Sequence, residues 1–295
     1  MTFFGIDVSN HQGNFDFARA KSEGITFATH KITEGDGYRD PFWPRAKAEM
    51  QRWFPGRWGG YVFCRTNTDP MAEARLLREH AGSADFPLQV DYEDTTNGGS
   101  VADLKRRIEA YRAVGFTQLL PIYVPRWYWQ GRMGGASLAD LPAPIWNSDY
   151  VSGRNTPARL YPGDTYKGWA DMGGKSVQIL QFSETASVAG QSIDVNAFRG
   201  SGDEFNRMFG GTTMSYADDE LKKKFPSRSK YRDSDKEIDT LAGFVLNVDA
   251  RIHEEFVERE ALKGVDWAVA LVKREAAKND AGAKAVLAQL ESKEK

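Results

Sequence analysis

The sequence contains one cysteine and four histidines among 295 residues. A single cysteine, Cys64, excludes an internal disulfide framework, and the histidines show no spacing typical of a zinc site. We therefore predict no metal site and no other cofactor.

Long hydrophobic runs are also missing. No uninterrupted apolar stretch approaches the roughly 18 residues that cross a bilayer, and the opening MTFFGIDVSN has no basic segment followed by a long apolar one. We expect no membrane insertion, and synthesis in a reducing cytosol. The 39 Lys and Arg residues are balanced by 41 Asp and Glu residues, so the net charge gives no indication of a nucleic-acid partner.

Proline and glycine are scarce in the last part of the chain. Of 12 prolines only Pro226 falls in residues 212–295, which also hold only three of the 28 glycines. The same segment carries 33 charged residues in 84, a much higher share than the first 211 residues. Such a change in composition marks a domain boundary. We predict a large domain over residues 1–211, a charged linker over residues 212–237 and a helical domain over residues 238–295.

The last domain shows the periodicity of amphipathic helices. Asp235 is placed to cap the first helix, whose apolar residues recur at steps of three and four: Ile238, Leu241, Val245, Val248, Ile252 and Phe256. Two further apolar runs follow. The pattern predicts a small helical bundle or hairpin, with homo-oligomer formation through these helices as an alternative role.

The first domain instead alternates strand-like segments with helical or turn-rich ones. The candidate strands are FFGIDVS, ITFATHKI, GGYVFC, PLQVDYE, LLPIYV, APIWNS and VQILQFS. Helical candidates lie between them, and the one at residues 70–82 has an acidic start and a glycine stop. Alternation favours a parallel α/β sheet, and the number of strands favours a TIM-like β/α barrel followed by the all-α region.

Acidic residues follow apolar runs at three possible strand ends. GIDVSNHQG contains Asp7, VDYED contains Asp91 and Glu93, and SIDVNAF contains Asp194. Period-two alternation places Asp91 and Glu93 on one face of a strand and Tyr92 on the other. Taken singly, each acid has an ordinary explanation as a turn residue, a helix cap or an ion-pair partner. Together, at converging strand ends of a barrel, they predict a carboxylate-lined cleft suited to glycoside hydrolysis.

Seven ordered blocks resemble family 25 of the glycoside hydrolases, the Chalaropsis-type lysozymes common among bacteriophage endolysins. The blocks are GIDVSNHQG, KITEGDGYRDPFW, GGYVFCR, LQVDYE, PIYVPRWYW, APIWNSDYV and the final pair LQFSE and SIDVNAF. The resemblance spans residues 3–199, and the order of the blocks carries it rather than any single one.

The resemblance implies a muramidase that hydrolyses the β-1,4 bond between N-acetylmuramic acid and N-acetylglucosamine in peptidoglycan glycan strands, with net retention. It implies that Glu93 is the proton donor and that Asp91 stabilises the developing charge or an oxazolinium-like intermediate, with Asp7 and Asp194 completing the cleft. Whether an aspartate or the substrate's acetamido group attacks stays open. The resemblance also implies synthesis in a host cytoplasm, holin-assisted release to the cell wall, and a wall-binding role as one alternative for the helical domain.

The same motifs indicate the substrate contacts Tyr61, Tyr123, Trp146 and Gln181, since aromatic rings suit the apolar face of a sugar. Packing in the core is the alternative explanation for each aromatic residue. Three departures or ambiguities accompany the motifs. Val62 stands where the third block usually has histidine, and Cys64 is best explained as a small core residue. Glu34 matches a family acid, with a purely structural role as the alternative to catalysis.

Two other functions fit part of the pattern. A chitinase-like barrel would be another retaining hydrolase, but its longer Asp-x-x-Asp-x-Asp-x-Glu run is not found here. A catalytically silent glycan-binding barrel would need aromatic residues more than a proton donor, so the four acids weigh against it. The segment 151–175 matches no pattern and is predicted to form a long loop near the cleft that tunes substrate choice.

Overall fold

The computed structural model describes residues 2–210, 224–226 and 237–293. Contacts within the chain divide it into two compact units, Met1–Thr213 and Met214–Lys295. Most of the predicted linker, together with Asp235, lies outside the described residues. Among the residues described, no helix is both long and apolar enough to cross a bilayer.

The first unit is a closed eight-stranded barrel, which confirms the predicted fold class. Strand β1 closes the barrel by pairing with both β2 and β9, while β3 forms only a short hairpin with β2. The strands are β1 (Phe3–Val8), β2 (Phe27–Glu34), β3 (Tyr38–Arg39), β4 (Trp58–Phe63), β5 (Leu88–Asp91), β6 (Ile122–Tyr123), β7 (Ile145–Ser148), β8 (Val177–Val188) and β9 (Gln191–Phe198).

The barrel differs from the expected parallel sheet at its last strand. Strand β9 runs antiparallel to both neighbours, β8 and β1, whereas the other barrel pairs are parallel. Only two residues separate β8 from β9, and both Ala189 (φ 52°) and Gly190 (φ 80°) adopt positive φ. Two consecutive residues of this conformation form the tight turns that join antiparallel strands, so no crossover helix fits between them.

Helices surround the barrel and begin at recognisable caps. The predicted helix at residues 70–82 forms as Pro70–Ala81: Asp69 accepts from the backbone N–H of Ala72 at 2.8 Å, and Gly82 ends it at φ 75°. The barrel-unit helices are α1 (Phe17–Ser22), α2 (Trp43–Trp53), α3 (Pro70–Ala81), α4 (Val101–Ala113), α5 (Arg126–Arg132), α6 (Pro157–Leu160) and α7 (Gly202–Met208). The segment predicted as a long loop, 151–175, contains α6 and a 3₁₀ turn at Lys167–Trp169.

Helices α3 and α4 are joined by a buried ion cluster. The Arg107 guanidinium lies 3.0 Å from the Glu73 carboxylate and 2.8 Å from that of Asp103, and the side chains of Arg107 and Glu73 are fully buried. Glu73 also accepts from the backbone N–H of Arg65 at 3.1 Å. The cluster therefore fixes the loop that follows β4.

Aromatic side chains close the amino-terminal end of the barrel. Phe205 and Phe209, from α7 and its end, pack against Phe27 at the start of β2, with ring centroids 5.7 Å apart in each pair. The cluster also includes Leu120, Ile179 and Phe198. Apolar groups fill this end, and in barrels of this kind the site lies at the opposite, carboxyl end of the parallel strands.

Where the structure describes the second unit, at residues 224–226 and 237–293, it shows a small ribbon and three helices. Strand β10 (Lys224–Pro226) pairs antiparallel with β11 (Glu237–Thr240), and α8 (Leu241–Leu262), α9 (Asp266–Ala277) and α10 (Ala281–Lys293) follow. The predicted helix at 238 therefore begins three residues later, because residues 237–240 pair as a strand. The three helices enclose a small apolar core of Ala261, Ala268, Val272, Ala276, Ala283 and Val286.

Candidate active site

The four predicted acids lie in one cavity at the carboxyl end of the barrel. Asp7 lies on β1, Asp91 ends β5, Glu93 follows two residues later, and Asp194 is on β9. They line a cavity of about 190 Å³. Residues separated by more than a hundred positions are thus brought together by closure of the barrel.

The alternation of β5 places two acids in this cavity. Gln89, Asp91 and Glu93 line it, while Tyr92 points outward and donates from its hydroxyl to Asp103 on α4 at 3.0 Å. The predicted division of this segment between two faces is therefore confirmed. Asp91 is 7% exposed, and its Oδ1 has no hydrogen-bond partner among the residues that the structure describes. A buried carboxylate oxygen without a protein partner is unusual, and such groups often mark functional sites.

Asp7 is held by two amides beneath the cavity. Gln181 donates to both carboxylate oxygens at 3.0 and 2.9 Å, and Asn196 donates to Oδ2 at 2.6 Å. Both amides are themselves positioned. Tyr123 donates to Gln181 Oε1 at 2.8 Å, and Trp146 Nε1 donates to Asn196 Oδ1 at 2.8 Å. This chain of hydrogen bonds fixes the orientation of Asp7.

Burial and mutual repulsion keep these carboxyls more basic than usual. Burial, followed by the charge of Asp7, raises the pKa of Glu93 to about 7, and the same two causes raise the pKa of Asp194 to about 8. Burial and the charge of Glu93 raise the pKa of Asp91 well above its usual value. For Asp7, burial raises the pKa although Asn196 and Gln181 oppose it. Carboxyls so close titrate as a set, and at neutral pH the set retains protons.

Of the described residues that line this cavity, Lys31 is the only lysine or arginine. Its ammonium lies 2.9 Å from Glu34 Oε2, over the Phe63 ring at 4.9 Å and the Tyr61 ring at 5.8 Å. Its positive charge lowers the pKa of both Asp91 and Glu93, against the effect of burial. Lys31 was not predicted from the sequence, although it lies in the same block as Glu34.

Glu34 and Asp94 form a separate polar cluster beside the cavity rather than lining it. Arg65 donates to Glu34 and lies 3.2 Å from Asp94 Oδ1, and Asp94 also accepts from the backbone N–H of Thr66 at 2.9 Å. Burial would raise the pKa of Asp94, but hydrogen bonds led by that of Asn97 hold it well below its usual value. Both acids are thus engaged in fixing the loops after β4 and β5.

The predicted substrate contacts separate into two groups. Tyr61, Tyr123 and Gln181 line the cavity, whereas Trp146 is fully buried and does not. Trp146 packs edge-on against Phe27 and Tyr123 and is linked to the site through Tyr123 and Asn196, so the expectation that it contacts substrate is corrected to a positioning role. The alternation of side chains along β7 directs this ring into the barrel interior, where it packs in an apolar cluster.

Tyr150 also lines the cavity and was not predicted from the sequence. Tyr150 follows β7, is 42% exposed, and donates from its hydroxyl to Gln181 Oε1 at 2.7 Å. It lies in the block APIWNSDYV, where an aromatic residue two positions after a strand was the available signal. Val62 and Cys64, by contrast, are fully buried in the core. The Cys64 thiol lies 3.2 Å from the Tyr111 hydroxyl, and burial raises its pKa well above the usual value.

Comparison with known proteins agrees with this geometry. The family described as glycosyl hydrolases family 25 matches residues 6–191. Lysozyme M1 of Streptomyces globisporus is 27% identical over 215 residues, covering 67% of this chain and 68% of that protein. The muramidase from Trichobolus zukalii has a similar structure, with a TM-score of 0.58, 23% identity, and coverage of 71% of this chain and 100% of that one.

A viral enzyme shares the fold as well. The catalytic domain of an endolysin from a bacteriophage of Listeria monocytogenes gives a TM-score of 0.53 at 16% identity, with coverage of 70% of this chain and 97% of that one. At this identity the likeness concerns the fold alone. The acids and amides described above therefore carry the chemical argument.

Proposed function

The chain belongs to family 25 of the glycosyl hydrolases, and we propose that it is a muramidase that hydrolyses the β-1,4 bond between N-acetylmuramic acid and N-acetylglucosamine in peptidoglycan. The observation that carries the proposal is the convergence of Asp7, Asp91, Glu93 and Asp194 in one cavity. Glycoside hydrolysis needs one protonated and one ionised carboxyl on either side of the bond. A buried set of acids that retains protons at neutral pH supplies both forms.

Glu93 is the proton donor in this proposal. It lies at the end of the strand segment, is less buried than Asp91, and has a pKa of about 7. Donation to the leaving oxygen requires a carboxyl that is still protonated near the working pH. The group is therefore suited to deliver its proton to the bond that breaks.

Asp91 lies deeper and stabilises the positive charge that develops at the sugar. Its Oδ1 is free of hydrogen bonds from the described residues, so it can face a cationic centre or the nitrogen of an acetamido group. Both routes, attack by an aspartate and attack by the substrate's own acetamido oxygen, lead to net retention, which we propose as the outcome. Asp7, held by its two amides, orients the groups around that centre.

The biological role that we propose is host cell lysis. The proposal rests on the sequence blocks, which resemble a family common among bacteriophage endolysins, and it implies an enzyme made in a host cytoplasm and released to the cell wall. The glycan strands of peptidoglycan are then its partner. Homo-oligomer formation or wall binding is the corresponding proposal for the helical unit.

Digestion of purified peptidoglycan tests the activity. Products with muramic acid at the reducing end are expected in mass analysis, whereas glucosamine at that end would indicate a glucosaminidase. Glu93→Gln should lower kcat by about 10² to 10⁴, the usual contribution of a positioned acid. The matched control is Glu109→Gln, an exposed glutamate on α4 that pairs only with Arg112 at 3.0 Å among the contacts described. Turnover of Glu93→Gln at the level of this control would refute the assignment.

A further inference from the structure

A second cavity adjoins the one that holds the acids. It has a volume of about 340 Å³ and is lined by Arg126, Trp127, Gln130, Ser148, Asp149 and Tyr150. Tyr150 lines both cavities and is therefore the wall that they share. The volume lies within the range of roughly 300 to 1,000 Å³ that is usual for small-ligand sites.

Exposed aromatic rings are concentrated in this second cavity. Among the described residues of the barrel unit, the large apolar side chains with high exposure are Tyr38, Trp127 and Tyr150, and the last two line this one cavity. Trp127 is 50% exposed, with its ring edge-on to Tyr128 at a centroid distance of 5.7 Å. An exposed indole supported from one side by another ring presents a fixed apolar surface to solvent.

The polar groups around these rings are fixed before any ligand binds. The Tyr150 hydroxyl donates to Gln181 at 2.7 Å, and the Tyr166 hydroxyl donates to Asp149 at 3.0 Å. The Arg126 guanidinium donates to the backbone carbonyls of Ala170 and Asp171. Residues 166–171 of the segment with no sequence pattern therefore support this cavity, and a preorganised site loses less entropy on binding.

Charge balance favours a neutral occupant. Asp149 has Lys167 at 3.5 Å, and Arg126 is satisfied by main-chain carbonyls, so both charges already have partners. An ionised peptide stem would have to compete with them. A sugar ring instead offers an apolar face to stack on Trp127, and its hydroxyl and acetamido groups can bond to Gln130 and Asp149.

We propose that this second cavity is a sugar subsite that binds a further residue of the glycan strand, with Trp127 as its stacking platform and Tyr150 joining it to the site of cleavage. The inference rests on the proposed muramidase activity. It means that the enzyme binds more residues of the glycan strand than the two sugars joined by the bond that breaks. Longer strands should therefore bind more tightly and be cleaved with a higher kcat/KM.

Binding to uncleaved strands tests the subsite directly. Isothermal titration of Glu93→Gln with peptide-free oligosaccharides of two, four and six alternating sugars should show affinity that rises with length. In the double variant Glu93→Gln/Trp127→Ala, the increase in affinity from the shortest to the longest oligosaccharide should fall by about ten-fold, the typical effect of removing an aromatic anchor. Trp127→Phe keeps a ring and should retain most of the gain. The matched control is Trp267→Ala, an equally exposed indole (48%) in the helical unit.

Kinetics of the otherwise native enzyme provide the second readout. Trp127→Ala should raise KM for the longest strands while kcat changes little, because stacking at a distance binds ground and transition states alike. If Trp127→Ala lost the same factor in kcat/KM at every strand length, Trp127 would belong to the cleft itself. If it lost nothing at any strand length, the second cavity would not be a subsite. Either result overturns the proposal. A loss seen only with peptide-bearing strands would assign the cavity to the stem and also overturn it. If the native enzyme releases no reducing-end muramic acid, the muramidase proposal itself fails, which is a distinct result.

Discussion

Removing the charge of Glu93 should stabilise the folded barrel at neutral and alkaline pH. The pKa of this carboxyl is about 7 in the fold instead of the usual 4.5, chiefly because of burial and then because of Asp7. Below pH 4.5 the group is protonated in both folded and unfolded chains and has no effect on stability. Between pH 4.5 and 7 the unfolded chain releases the proton while the folded chain keeps it, so stability falls as pH rises.

The size of this effect follows from the difference between the two pKa values. At about 1.4 kcal/mol for each pH unit between them, the penalty above pH 7 has an upper limit of about 3 to 4 kcal/mol, and neighbouring acids that titrate with Glu93 share part of it. Glu93→Gln carries no charge at any pH. Its free energy of unfolding should therefore match that of the native chain near pH 4 and exceed it by roughly 2 to 3 kcal/mol at pH 8.

Urea titrations followed by tryptophan fluorescence measure this difference, since seven of the eight tryptophans lie in residues 1–210. Native chain, Glu93→Gln and the exposed control Glu109→Gln are compared at pH 4, 6 and 8. The control should show no pH-dependent difference from the native chain. If Glu93→Gln gave the same difference at pH 4 and pH 8, or were less stable at pH 8, the raised pKa and its origin in burial would be refuted.

Three further predictions concern other parts of the molecule. The kcat/KM for peptidoglycan should fall by about ten-fold per pH unit above pH 7, as the acids lose their last catalytic proton. Because Lys31 lowers the pKa of Glu93, Lys31→Met should move this decline to higher pH. A decline at the same pH in the variant would contradict that role of Lys31. Arg107→Met leaves the buried Glu73 carboxylate without its counter-charge, so it should lower the free energy of unfolding in urea by about 3 to 5 kcal/mol. A loss below about 1 kcal/mol would show that the buried ion cluster is unimportant. A chain ending at residue 211 should fold into an active barrel, checked by circular dichroism and by digestion of soluble glycan strands, and insolubility would show that the barrel needs the helical unit.

Local patterns in the sequence predicted the elements that depend on neighbours along the chain. The Asp69 cap, Pro70 and Gly82 define one helix, and these signals act within a few residues of each other. Alternation along VDYED likewise assigned Asp91 and Glu93 to one face and Tyr92 to the other, because successive side chains of a strand must point in opposite directions. The same pattern of an acid at a possible strand end identified Asp7 and Asp194, and the ordered family blocks contain both.

Local sequence patterns did not predict the contacts between segments that are distant along the chain. Trp146 carries the same strand-end signal as Tyr123, yet its ring turns into the barrel interior and is fully buried. Lys31 and Tyr150 gained their places only because closure of the barrel brings β2, β7 and β8 around one cavity. The residue types in VAGQS do not distinguish a hairpin from a crossover. Only the two-residue connection between β8 and β9 does.

The sequence by itself thus determined the alternation of strands and helices, the positions of the four acids and the family to which the chain belongs, since each depends on residue order and local spacing. Only the tertiary structure decided which side chains share a cavity, how strongly burial shifts their pKa values, and that an exposed indole lies beside the cleft. The physical reason is that desolvation and charge proximity depend on distances across the fold, and these are set when the barrel closes.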